Sequence, residues 1–265
     1  MDSDDALPDN HSAYLVPGLL RGLRVLEILA ENGAPMTLSE IARELEVSRS
    51  SAFRLVYTLR QMNCLKDGEQ KNTFTLGARV LNLGFAYLNQ QSITTIARPY
   101  LSALRDEVGI STHLSVLEGH DVLYLSSHQA RTGYVSNLTT GTRRRAHAST
   151  IGWVLLGDLS AEEMEAFCKG VDWTPETEHT PRNCAELAAR VGQARADGYV
   201  FSHGLGRTGG SSLAVPVRNN LGRIVACVNI SGPDGAFDFD RVDSFYRPAV
   251  QRTALRISEE LGFSA

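Results

Sequence analysis

The sequence predicts two domains. The first is an N-terminal winged helix-turn-helix, mainly α with a short β wing. A linker helix leads from it to the second, a C-terminal α+β domain around an antiparallel sheet. Three observations predict this. Two short amphipathic patterns flank the break Glu46-Val47-Ser48, a turn-rich hairpin pattern follows over residues 65–77, and from residue 93 onward paired β runs alternate with helical stretches. A chain of 265 residues has room for two modest domains.

Composition narrows the class. The chain is 43% apolar and 21% charged, as in ordinary globular proteins. No apolar run reaches the length of a membrane span, and the opening MDSDDALPDNHS is acidic and turn-rich rather than a charged-then-apolar signal. Residues 1–16 therefore read as a disordered tail, and the chain as cytoplasmic with no membrane partner. Cys64, Cys168, Cys184 and Cys227 are scattered, with no C-x-x-C, so free thiols are expected rather than a zinc site or a disulfide frame. The net charge of -4 hides an asymmetry: residues 17–90 carry nine Lys and Arg against seven Asp and Glu, whereas residues 1–16 carry four acids and no base.

Residues 17–77 hold the first domain. Leu19 to Ala30 has helical periodicity, with Leu20, Leu23, Leu26, Ile28 and Leu29 on its apolar side, and Asn32-Gly33 stops it. Thr37 and Glu40 form a Thr-x-x-Glu capping box that starts a short helix burying Ile41, Ala42 and Leu45. Ser48 caps the next helix, whose expected core residues are Phe53, Leu55, Val56, Leu59 and Met62. Val47 plugs the turn between the two. Glu46 stands where Gly or Asn is usual, at a cost of about 1 kcal/mol if its backbone is left-handed. Asp67-Gly68 and Lys71-Asn72 then turn a hairpin in which Leu65, Phe74 and Leu76 face inward.

The second of these helices carries Arg49, Arg54 and Arg60 and no acid. Arg forks onto guanine edges or pairs with phosphate, serine hydroxyls bond to either, and a helix N-terminus favours phosphate. This pattern predicts a recognition helix for double-stranded DNA. The candidate contacts are Thr37, Ser48, Arg49, Ser50, Ser51, Arg54, Tyr57 and Lys71. The competing reading is a plain helical hairpin with a solvated arginine face.

Residues 78–92 form the linker. Val80, Leu81, Leu83, Phe85, Tyr87 and Leu88 place apolar groups on more than one side of its helix, so it packs on a partner chain or on the second domain. In residues 93–265, Ile93 to Val108 is a helix ended by Gly109. Two β runs joined at Glu118-Gly119-His120-Asp121 follow, then helical stretches at about 149–157, 160–168 and 183–197. Three β runs, Tyr199–Ser202, Ser212–Val217 and Ile224–Ile230, precede a closing helix from Ser244 to Leu261.

Several motifs point to chemistry they do not support. Gly204 to Gly209 matches G-x-G-x-x-G but enters a strand, not the helix that a dinucleotide requires. The histidines lack paired ligand spacing, and no G-x-S-x-G elbow offers a nucleophile, so no metal, cofactor or enzyme activity is expected. An enzyme of small acids in the second domain, beside a vestigial DNA head, is the alternative. The run from Thr139 to Gly152 differs, because a glycine and arginine loop enters a helix with hydroxyls in its first turn. It reads either as an anion site or as a basic loop in solvent.

The segments Leu38-Ser39-Glu40-Ile41-Ala42 and Ser48 to Leu55, with His147-Ala148-Ser149-Thr150-Ile151-Gly152, resemble the IclR family of bacterial transcription regulators. So do Asp197-Gly198-Tyr199, Leu213 to Val217 and Val228 to Pro233, and the likeness spans about 18–262. It implies a GAF-like effector domain that binds small organic acids, and dimers or dimers of dimers on palindromic operators. Carried over position by position, it implies effector contacts at Ala148, Ser149, Ser202, Ser212, Asn229 and Ser231. Trp153, which replaces the motif's lysine, stands beside an apolar part of the ligand or packs on the sheet. Arg145 replaces the motif's proline. Ser202 and Ser212 replace the Asp and Cys of glyoxylate-type sensors, which argues against glyoxylate, while Asn137-x-x-x-Gly141-Thr142-Arg143 and Val228-Asn229-Ile230-Ser231 resemble the aromatic-acid and β-ketoadipate-pathway branch. An aromatic or medium-length carboxylate is therefore expected, with its carboxyl group at the start of the 148–156 helix.

Overall fold

The structure, a computed structural model, describes residues 15–90, 92–131 and 138–264. The expected N-terminal tail thus lies almost wholly outside the described residues. The chain divides into two compact units with the boundary between Leu88 and Asn89. No helix among the described residues is long and apolar enough to cross a membrane.

In the first unit, helix α1 (Pro17–Asn32) starts at a proline and closes on Gly33, whose left-handed φ of 66° lets its N–H reach the Leu29 carbonyl. It buries Val25, Ile28 and Leu29, while Leu20 and Leu23, expected in the core, are exposed. The helix carries two apolar stripes, and this small unit covers only one. Strand β1 (Met36–Thr37), which the sequence pattern did not suggest, adds a third strand beside the wing. Helix α2 (Leu38–Glu44) begins with the full capping box. The Thr37 hydroxyl accepts from the Glu40 N–H at 3.3 Å, and the Glu40 carboxylate accepts the Thr37 N–H at 2.7 Å. These bonds to Thr37 hold the Glu40 carboxyl below its ordinary pKa.

Glu46 has a φ of 53°, the left-handed turn foreseen between α2 and α3 (Arg49–Gln61). Ser48 caps α3 by accepting the Ser51 N–H at 3.3 Å. The buried stripe of α3 is Ala52, Val56 and Leu59, with Leu55 partly buried. Phe53 and Met62 are corrections, because both are exposed. Small Ala42 and Ala52 fill the α2–α3 crossing, and Phe53 lies one residue, or 100°, off that stripe. Strands β2 (Leu65–Asp67) and β3 (Thr73–Leu76) form the wing, with Asn72 left-handed at its tip. Helix α4 (Ala78–Gln90) follows, with Leu81 and Leu83 exposed.

The second unit is a six-stranded antiparallel sheet of order β6-β5-β4-β9-β8-β7. Its strands are β4 (Ser111–Glu118), β5 (Asp121–His128), β6 (Arg143–Arg145), β7 (Val200–His203), β8 (Gly210–Arg218) and β9 (Ile224–Pro233). Helix α5 (Ser92–Val108) and the closing α9 (Arg247–Glu260), which is preceded by a π turn at Val242–Tyr246, pack on each other and on the sheet. The expected closing helix therefore begins with an irregular turn. Helix α6 (Thr150–Leu155) lies across β7, β8 and β9, with α7 (Ala161–Cys168) and α8 (Cys184–Asp197) behind it.

Two local features position α6. A short 3-10 turn, Ala146–Ala148, leads into it, and Ser149 caps it by accepting the Gly152 N–H at 3.0 Å. A side chain at Gly152 would overlap the Ala146 carbonyl, so the helix and the turn touch backbone to backbone. The second feature corrects the expected free thiols: Cys168 and Cys184 form a disulfide. The end of α7 and the start of α8 bring their Cα atoms to 5.6 Å, a proximity that a separation of 16 residues does not signal. Cys64 and Cys227 are free and buried.

Gly152→Ala should destabilise the second unit by at least about 1–3 kcal/mol, because the added methyl meets backbone that cannot turn aside. Gly192→Ala, mid-helix in α8 with open space around it, should instead stabilise by about 0.5–1 kcal/mol. Both tryptophans, Trp153 and Trp173, lie in this unit, so denaturant unfolding followed by their fluorescence measures both variants. Equal stability of Gly152→Ala and the parent would remove the close approach.

Candidate functional sites

The first turns of α3 present Arg49, Ser50, Ser51, Arg54 and Tyr57, all exposed. Neither guanidinium of Arg49 nor of Arg54 has an ion-pair or hydrogen-bond partner among the described residues. Arg60, the third base of the helix, differs. It pairs with Asp67 of the wing at 2.6 Å and lies 5.8 Å from the Phe74 ring centroid, so it braces the hairpin. Ser48 holds the hydroxyls of Ser50 and Ser51 at 3.1 and 3.0 Å. Thr37 is committed to its capping box on both sides of its hydroxyl. Lys71 is exposed at the wing tip. Leu38, Arg49, Ser50, Phe53 and Arg54 line a shallow cleft at the start of α3.

In the second unit, the sheet, α6 and the loop between β7 and β8 enclose a cavity of about 380 Å³. Five of the seven expected effector residues line it: Ala148, Ser149, Ser202, Ser212 and Ser231. The other two do not. Trp153 is buried in the core behind α6, where its indole N–H donates to the His147 carbonyl at 2.8 Å and Arg190 lies over its ring. Asn229 is wholly buried behind Ser212. Ser149 lines the cavity, but its hydroxyl is engaged by its own helix.

The floor of the cavity is polar by construction. Ser212 and Ser231 are direct partners across β8 and β9. The Asn229 amide donates to the Ser212 oxygen at 3.4 Å, which leaves the Ser212 hydroxyl proton free. The Ser231 oxygen lies 3.2 Å from His113 Nε2, while His113 Nδ1 is buried without a partner among the described residues. Placing the imidazole proton on Nε2 avoids burying an unpaired N–H. In that tautomer Ser231 accepts, and its own proton is also free. Burial pushes the His113 pKa down to about 3, with His128 adding a smaller repulsion, so the ring is neutral. Thr150 and Ser202 form a hydroxyl–hydroxyl hydrogen bond at 2.7 Å.

Among the described residues the walls add bases and apolar surface but no acid. Arg143 is neutralised by Glu118 at 3.1 Å and Asp121 at 3.2 Å. Arg144 makes no ion pair among the described residues and donates to the Gly206 carbonyl at 3.1 Å. Tyr124, Leu138 and Ile151 supply apolar contact. Burial raises the Tyr124 phenol pKa despite nearby Arg144. Tyr124, Arg144 and Thr150 were not among the expected contacts. Arg144 lay within the basic run the sequence flagged, whereas nothing in the local pattern of β5 distinguished Tyr124. The Gly204–Gly209 loop joins β7 to β8, two strands, and contributes Gly206 and Arg207 to the cavity. No cluster of three or more metal-ligating side chains occurs among the described residues.

Comparison with known proteins bears on both units. The IclR helix-turn-helix domain matches residues 18–67, and the C-terminal domain of bacterial IclR transcriptional regulators matches 85–259. The chain is 25% identical to the HTH-type transcriptional regulator XynR of Escherichia coli K12 over 251 residues, 95% of this chain and 99% of that protein. It is 26% identical to the Pca regulon regulatory protein of Pseudomonas putida, covering 92% of this chain and 83% of that one. A solved structure described as a transcriptional regulator of Rhodococcus sp. RHA1 is 32% identical, with a TM-score of 0.82 over 93% of this chain and 98% of that chain. An IclR homologue of Microbacterium hydrocarbonoxydans complexed with 4-hydroxybenzoate shares the fold, with 24% identity and a TM-score of 0.78 over 92% and 98% of the two chains. With both domains matched in order, this chain belongs to the IclR family of bacterial transcriptional regulators, DNA-binding proteins rather than enzymes.

Proposed function

We propose that α3 reads a palindromic operator in double-stranded DNA and that a carboxylic acid in the second unit's cavity controls this binding in the cytoplasm. The observation that carries the DNA half is the pair of unpartnered guanidiniums, Arg49 and Arg54, on an acid-free helix start. Ser48, Ser50, Ser51, Tyr57 and Lys71 flank them as secondary contacts. Thr37, with its hydroxyl committed, acts by holding α2 in place.

For the ligand, the supporting observation is an acid-free cavity whose floor offers the free protons of Ser212 and Ser231 side by side, with Arg144 on its wall. A carboxylate accepts from both hydroxyls, and the cation adds charge complementarity. This moves the carboxyl group from the α6 N-terminus expected from sequence to the sheet, because the Ser149 oxygen already serves Gly152. A cavity of about 380 Å³ with Tyr124, Leu138 and Ile151 on its walls favours an aromatic or medium-length acid over acetate or glyoxylate. The acid changes operator affinity only to the extent that it binds one arrangement of the protein better than another.

Self-association completes the reading. Leu19, Leu20 and Leu23 on α1 and Leu81 and Leu83 on α4 are exposed in the single chain, and a second copy would cover them in a dimer or a dimer of dimers.

Three outcomes follow. Arg49→Ala or Arg54→Ala should weaken operator binding by about 1–3 kcal/mol where the side chain forks onto a base. A residue that touches only phosphate should instead make the salt dependence shallower by about one unit of log–log slope. Unchanged affinity in both variants removes the recognition-helix assignment. In a thermal-shift series, benzoate and 4-hydroxybenzoate should stabilise the chain more than their amides, and Ser212→Leu should abolish the shift by filling the cavity while sparing DNA binding. Amides that match the acids sink the anion site. Leu81→Asp with Leu83→Asp should convert the sedimenting species to monomer and lower operator affinity by loss of the joined second head. A double variant that sediments like the parent would rule out α4 as the interface.

A further inference from the structure

Phe53 is not part of the hydrophobic core of its unit. Its side chain is 56% exposed although it lies mid-helix, while the core of the first unit is completed by Ala52, Val56 and Leu59, about 100° around α3 from it. A single exposed ring is ordinary on a protein surface, but two adjoining rings, Phe53 and Tyr57, on one acid-free helix face form a patch that marks a contact surface. Its surroundings say what kind. Phe53 lies on the same side as Arg49 and Ser50, four and three residues earlier, and Arg54 follows it directly. With Leu38 these residues line the cleft at the start of α3, and no carboxylate is among them. Tyr57 continues the aromatic surface along the helix, its ring centroid 6.1 Å away and tilted by 31°.

We infer that Phe53 is a base-reading residue that packs against the 5-methyl group of a thymine in the major groove, beside the bases or phosphates held by Arg49 and Arg54. This rests on α3 being the recognition helix. The early turns of such a helix are the part that reaches base edges. Besides hydrogen-bond donors and acceptors, the major groove of unmodified DNA shows small C–H edges and the thymine methyl, and the methyl is the apolar group that projects far enough to pack against a phenyl ring. The flanking cations draw the polyanion to this surface and exclude a basic protein partner. The cleft thus discriminates by complementary chemistries: two guanidiniums for polar edges and one ring for the methyl.

The test uses the full chain and an operator selected from random-sequence duplexes by the protein itself. Each thymine of the selected site is replaced in turn by deoxyuridine, which removes the methyl and keeps the base pairing. Fluorescence anisotropy at one fixed salt concentration gives Kd for the parent, Phe53→Ala, Arg49→Ala and Arg54→Ala. One thymine per half-site should matter to the parent, with the uracil duplex binding about fourfold more weakly, the equivalent of one buried methyl. Phe53→Ala should bind the thymine duplex at least that much more weakly and should no longer distinguish thymine from uracil there. A Phe53→Ala chain that keeps the parent's thymine-to-uracil ratio overturns the inference, as does a parent indifferent to every methyl. If the two arginine variants weaken binding while that ratio persists, only the role of Phe53 falls. If neither arginine variant weakens binding, or no site is selected, the recognition-helix reading falls with it. A Phe53→Ala chain that sediments as a smaller species assigns the ring to a protein interface instead. Far-UV circular dichroism checks that the exposed substitution leaves the fold intact.

Discussion

The register between β8 and β9 is the constraint on which the second unit depends. Successive residues of a strand face opposite sides, so pairing Ser212 with Ser231 also pairs Leu213 with Ile230. The leucine and isoleucine are fully buried, while the two serines line the cavity. A slip of one residue would bring the hydroxyls to the apolar side and the aliphatic chains to the cavity floor. The burial of Leu213, Ile230, Leu114 and Val228 therefore holds the cavity-facing hydroxyls in place, although none of these four lines the cavity. The polarity of the cavity floor and the folding energy are set by the same alternation.

The two units present different kinds of surface. In the first, polar groups that could compete with a ligand are tied down locally: Thr37 and Glu40 serve each other, Arg60 serves Asp67, and Ser48 serves the start of its helix. Arg49 and Arg54 are left free by this economy. In the second unit, buried Asn229 and His113 stand behind Ser212 and Ser231 and set the direction of their hydrogen bonds. A residue that does not line the cavity can thus decide whether its floor donates or accepts.

Much of the architecture was legible because its signals are local. A capping box, a Ser N-cap, Gly33 and Gly109 as stops, and Asn72 at the wing tip each act within four residues, and each stands where the pattern put it. Legibility failed where an outcome depended on what lay across the fold. Phe53 and Met62 look like core residues until Ala42 and Ala52 bring α2 and α3 together and leave them outside. Leu20 and Leu23 belong to a stripe that this unit has no second surface to cover. Trp153 stands one turn from the cavity in sequence, yet its helix turns it into the core. Tyr124 reaches the cavity only through strand order, which no local pattern carries.

The Cys168–Cys184 bond has a consequence for the unfolded chain. The segment between the two cysteines packs on the approach to α6 and on the β7–β8 loop: Asp172 pairs with Arg145 at 2.7 Å, Trp173 meets His147 edge to face, and the Thr177 hydroxyl donates to the Leu205 carbonyl at 2.8 Å. Closing a loop of 16 residues removes about 3 kcal/mol of conformational freedom from the disordered state in the chain-entropy view. That term is of the same order as the whole margin by which many domains stay folded. The second unit's tolerance of heat and of substitution thus depends on the thiol–disulfide balance of its surroundings, and a reducing solution exposes a weaker version of the same fold.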